Sequence, residues 1–193
     1  MSWTRNDTRA RSLDATWQQL EVAPGSARMA DIAKAAGISR QALYLHFPTR
    51  ASLLTQTTHH IDEVKGVAAR FAACRETTDG RARRDAFVDA WRYYIPEIYG
   101  VGRALMALSL EDEAARAAWA DRMDAVHKGC RSTVDALAND NLLAPHLTCE
   151  SAADLLRALL SVELYALLTI ERRWEQAEYV AHMKRAAAMA LMG

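Results

Sequence analysis

Arg40, Gln41 and Ala42 are consecutive residues with three different ways of touching a nucleobase. A guanidinium grips guanine O6 and N7 bidentately, a carboxamide pairs with adenine, and a methyl group packs on the thymine methyl. That chemistry requires the three residues to stand at the start of a short helix that enters a major groove. The surrounding run, MADIAKAAGISRQALYLHF over Met29–Phe47, predicts such a helix and the element that braces it.

The bracing follows from spacing. A helix is expected over Met29–Ala36, and Gly37 stops it because glycine adopts left-handed backbone without steric cost. Ser39 is placed to cap the next helix, Arg40–Phe47, which Pro48 ends. Ala33 is small where the second helix must cross the first, and Ile32, Ala36, Ile38 and Leu43 are the apolar pins between them. An ordinary helical hairpin shares the two helices; the small residue followed four positions later by glycine, with apolar pins at these offsets, points to a helix-turn-helix.

The rest of the chain predicts helix throughout. Half of the 193 residues are hydrophobic, with four Pro and eight Gly, a composition of packed helical proteins. No stretch alternates as a strand does. A first helix is expected over 7–22, ended by Pro24-Gly25, with Leu13, Trp17 and Leu20 on one face. Thr49 caps a long fourth helix predicted to reach about Arg75. A fifth carries Phe87, Trp91, Ile95 and Ile98; Pro96 kinks or ends it, and Gly100 and Gly102 form a corner before a short segment, Arg103–Leu108. Ser109 is expected to cap the next helix. Two more follow, at about Glu150–Arg172 and Glu175–Met192.

Charge and cysteines narrow the class. The chain has no net charge, but residues 1–60 hold seven Lys or Arg against four acids. A mildly basic head on a mildly acidic remainder suits contact with phosphate. Cys74, Cys130 and Cys149 are odd in number and far apart, which favours reduced thiols and a cytoplasmic location; Cys130 is expected in the core. No secretory start is expected, because no apolar run follows Arg5, Arg9 and Arg11, and no membrane span, because Arg157 and Glu163 interrupt the most apolar stretch. His59 and His60 are adjacent and point to different faces. No cysteine pair has zinc spacing, and no glycine-rich phosphate loop, nucleophile elbow or HExxH occurs. No metal site, cofactor or enzymatic activity is therefore expected.

The run AGISRQALYLHFPTRASLL (Ala36–Leu54), within a stretch from Ser26, resembles the helix-turn-helix signature of the TetR family of bacterial repressors. LLTIERRWEQAEY, Leu167–Tyr179, is similar to the family's last two helices. Where the family has a Leu-Phe pair and a Gly-aromatic turn after helix one, this chain has Leu20-Glu21-Val22-Ala23-Pro24-Gly25. Where helix two usually begins with Thr, Ala27 stands, so Ser26 is expected to cap. The resemblance implies phosphate contacts from Tyr44 and His46, and from Arg50 in place of the family's usual lysine. Arg28 is a second backbone candidate, with Ser39 and Thr49 as weaker ones.

The resemblance also implies the layout: an all-α chain with a three-helix head, residues 1–48, joined by a long helix to a ligand-binding and dimerisation body, 49–193. The expected partners are double-stranded DNA, a small-molecule effector and a second copy paired through the last two helices. Such a dimer would place two recognition helices about 34–36 Å apart on a palindrome. Trp91, Tyr94, Tyr99, Met106, Trp119, Met123 and Tyr165 are candidates for lining a mostly apolar effector pocket, with Glu163 anchoring a polar or cationic group. The alternative is an all-helical ligand- or partner-binding protein whose head no longer reads DNA.

Overall fold

The computed structural model describes residues 4–23 and 27–192; the expected Pro24-Gly25 stop and Ser26 cap lie outside them. Among the described residues the chain is all-α, without strands, and no helix is long and apolar enough to cross a membrane. It forms two compact units, Met1–Lys65 with Tyr99–Arg122, and Gly66–Ile98 with Met123–Gly193.

In the first unit, α1 (Arg5–Val22) begins earlier than expected because Thr4 and Asp7 form a capping box. The Asp7 amide donates to Thr4 Oγ1 at 3.2 Å, and the Thr4 amide donates to the Asp7 carboxylate at 3.1 Å. Leu13 and Leu20 are fully buried, and α1 packs on α2 (Met29–Ala36) and α4 (Arg50–Val64), touching α3 (Arg40–His46). Ser12 and Thr16 are buried beside them, and their hydroxyls donate to the carbonyls of Thr8 and Ser12, so neither hydroxyl is stranded.

Gly37 closes α2 at φ +66°. A Cβ there would lie 2.9 Å from Arg11 Nη2, the atom that donates to the Ala36 carbonyl at 2.5 Å. Gly37→Ala should therefore cost about 1–2 kcal/mol from the left-handed backbone alone. Thermal unfolding would show it, and Gly37→Asn, which tolerates that backbone, should cost less; equal stability of all three would refute the strain argument.

The fourth helix ends well before Arg75. Gly66, at φ +63°, takes the backbone out of helical geometry, and two short helices follow, α5 (Val67–Arg70) and α6 (Ala72–Glu76). Ser109 is not the cap of α8 (Glu113–Asn139): its hydroxyl donates to the Met106 carbonyl, and Asp112 accepts from the Ala115 amide at 3.0 Å instead.

The chain does not end its helix at Pro96, one of the two outcomes expected there, and the corner at Gly100 and Gly102 is absent. Helix α7 runs unbroken from Gly80 to Leu108. Proline removes the donor that would reach the carbonyl four residues back, on Arg92. Gln176 Nε2 donates to that oxygen at 2.9 Å, and Arg70 Nη1 donates to the next carbonyl, of Tyr93, at 2.6 Å. A side chain from elsewhere in the second unit thus satisfies the acceptor that proline leaves open, and Arg70 adds a donor beside it. Gln176→Leu should cost about 1–2 kcal/mol, the penalty for an acceptor losing its partner. An unchanged urea midpoint would show that the Arg92 carbonyl has no need of Gln176.

The last apolar stretch is likewise not one helix. It comprises α9 (Cys149–Leu159), α10 (Val162–Tyr165) and a π-helical segment, Ala166–Glu171. Ser161 restarts the chain by accepting from the Leu164 amide at 3.2 Å. Helix α11 (Gln176–Met192) packs on α9, and Leu156, Tyr179, Ala187 and Leu191 are buried in the second unit's core.

Candidate nucleic-acid interface

Helix α3 is seated by one face. Leu43 is fully buried, as is Phe47 just beyond the helix. Arg40, Gln41, Tyr44 and Leu45 are exposed. Ser39 Oγ accepts from the Ala42 amide at 3.1 Å, which starts the helix where the base-reading chemistry needs it. Of the expected base readers, Arg40 and Gln41 therefore point outward, and Ala42 is half-buried.

The expected backbone contacts separate into groups. Arg28 is exposed at the entry to α2, and Tyr44 is exposed on α3. Ser39 and Thr49 are helix caps; the Ser52 amide donates to Thr49 Oγ1 at 3.0 Å. His46 is half-buried, and its pKa is lowered by burial and by the positive charges of Arg5 and Arg9. A neutral imidazole still donates one hydrogen bond. Arg9 donates to Gln56 Oε1 at 2.8 Å, and its guanidinium lies 5.9 Å over the Phe47 ring. Arg5 and Arg9 thus stand near the far end of α3. In the sequence they add to the positive charge of the head, and their four-residue spacing on α1 puts them on one face.

Arg50 is engaged within the protein. Its Nε donates to the Ala27 carbonyl at 2.7 Å, and its Nη1 donates to the Asp112 carboxylate. The two side chains are 22% and 29% exposed. Burial raises the Asp112 pKa, but hydrogen bonds from Ala115 and Arg50 and the Arg50 charge outweigh it, leaving the carboxyl below its ordinary range. Further along α4, Arg122 pairs with Asp62 and with Asp121, and His59 Nε2 lies 2.9 Å from Asp121. These pairs tie α4 to the first half of α8. The Asp112 contact is invisible in the sequence, where nothing marks Asp112 as a partner of Arg50, 62 residues away.

The effector candidates fall in both units. Tyr99, Met106 and Trp119 belong to the first, and Trp91, Tyr94, Met123, Glu163 and Tyr165 to the second. Trp91 is buried with its ring 5.7 Å from that of Tyr94. Tyr165 is buried with its ring 5.4 Å from that of Tyr179. Trp91 Nε1 and Tyr179 Oη are buried without a hydrogen-bond partner among the described residues. Met123 is half-buried and Glu163 is exposed.

Residues 13–57 match the model of a family described as bacterial regulatory proteins, tetR family. A 64-residue stretch is 41% identical to the nucleoid occlusion factor SlmA of Marinomonas sp. (strain MWYL1). That match spans 33% of this chain and 32% of that protein. Among solved structures, one described as a TetR-family transcriptional regulator from Rhodococcus sp. superposes with a TM-score of 0.75 at 19% identity, covering 97% of this chain and 100% of the other. A transcriptional regulator from Saccharomonospora viridis, solved with choline, gives 0.74 at 17% identity, covering 97% and 99%. Residues 13–57 are a TetR-family DNA-binding domain, carried on a chain with the fold of TetR-family transcriptional regulators.

Proposed function

We propose that this chain is a dimeric repressor that reads a palindromic operator through α3 and releases it on binding a small, mostly apolar effector. The exposed arc of α3, opposite the buried Leu43, carries the reading: Arg40 and Gln41 supply the hydrogen bonds that tell guanine and adenine from other bases. Tyr44, His46, Arg28, Arg5 and Arg9 supply contacts to the phosphates flanking the groove. Residues 1–48 read DNA, and 49–193 bind the effector and the second copy.

The body's role draws on two observations. Leu155, Leu167, Ile170 and Met189 are exposed on α9, the π-helical segment and α11, an apolar surface suited to pairing with a second copy. The buried, unpaired donors Trp91 Nε1 and Tyr179 Oη suit an apolar effector that carries a hydrogen-bond acceptor. The relative from Saccharomonospora viridis holds choline on this fold, in keeping with a body that takes small molecules.

The test is fluorescence anisotropy with the duplex upstream of the chain's own gene, beside a scrambled duplex, across a range of salt. A phosphate-contacting dimer should prefer the first and lose affinity steeply as salt rises. Binding to neither at micromolar protein and low salt would sink the DNA-reading function and leave an all-helical ligand-binding protein.

A further inference from the structure

Leu45 lies among the proposed base readers and is 74% exposed. An isolated exposed leucine is ordinary; the place of this one is not. Residues four apart on a helix share a face, so Tyr44 stands above Arg40, and Leu45 stands above Gln41. The exposed arc of α3 runs through Arg40, Tyr44, Gln41 and Leu45, and Leu43 on the other side is buried. Whatever Gln41 faces, Leu45 faces next.

In the major groove, thymine alone presents an apolar group, its C5-methyl; the other bases present donors and acceptors there. A leucine side chain has neither. Laid over adenine, guanine or cytosine, it strips water from polar atoms and returns no hydrogen bond. Laid over thymine, it buries a methyl group. Ala42 carries the same chemistry on a shorter stem, but it is half-buried. We propose that Leu45 is a specificity-determining residue that reads one thymine methyl in each half-site, beside the base contacted by Gln41. This rests on the DNA-reading function proposed above.

The experiment recovers bound duplexes from a randomised pool with the full chain. Affinities are then measured for the unaltered chain, Leu45→Ala and Leu45→Met. Each is titrated on the recovered duplex and on versions with single thymidines replaced by deoxyuridine, which removes the methyl and keeps the pairing edge. One thymidine per half-site should stand out, its replacement weakening the unaltered chain about fourfold, the worth of one buried methyl. Leu45→Ala should be insensitive to that replacement alone, and Leu45→Met should retain the sensitivity. If Leu45→Ala responds at every thymidine as the unaltered chain does, or if no replacement matters, the methyl reading is overturned while DNA binding stands. Recovery of no duplex at all overturns the DNA-reading function and this proposal with it.

Discussion

Arg40→Ala is expected to weaken binding to the recovered operator by about 1–3 kcal/mol per half-site, the worth of one bidentate base contact. Arg40 is exposed at the first turn of α3, and Leu43 anchors that helix from its other face, so truncation should leave the fold intact. The loss should be confined to one base pair: the variant should tolerate substitutions there that the unaltered chain rejects. Anisotropy against a panel of single-base-pair variants reads both effects. An equal loss on cognate and random duplexes would make Arg40 a backbone contact and remove it from the code.

Arg50→Ala should lower the stability of the chain by about 3 kcal/mol. The substitution strands the Ala27 carbonyl and leaves the partly buried Asp112 carboxylate without its cation, and breaking charged hydrogen bonds at such sites costs more than a surface pair does. Asp112→Asn should cost less, because its side-chain oxygen still caps α8. The acid side follows from linkage. The Asp112 pKa is depressed in the folded chain, so its contribution is present above the unfolded value of about 3.9 and is lost as pH falls through the folded one. Asp112→Asn should flatten that part of the acid limb in urea titrations from about pH 5 downward.

The same variant separates two roles for Arg50. A residue that positions the start of α2 through Ala27 should leave the salt dependence of DNA binding unchanged while stability falls. A phosphate contact should reduce the salt slope by about one and leave stability alone. A reduced slope at full stability would establish the phosphate contact that the resemblance implies.

The head was legible because its determinants are local. Gly37 and Ser39 set backbone angles and caps by their own chemistry, with partners within a few residues, so α2 and α3 stand within a residue of where their spacing puts them. Gly66 carried a local signal too, but the apolar stripe through Ile61, Val64 and Ala68 masked it. Ser161 was masked the same way by the leucines around it.

By itself the sequence determined the all-helical class, the helix-turn-helix and the outward placing of Arg40 and Gln41 on α3, since periodicity and capping act between near neighbours in the chain. Tertiary structure alone decided that α7 passes through Pro96, because the donor that meets the Arg92 carbonyl comes from Gln176, 84 residues away. It alone engaged Arg50 with Asp112, 62 residues away. Proline's cost and arginine's role both depend on which distant group meets an open hydrogen-bonding site, and no spacing along a chain encodes that meeting.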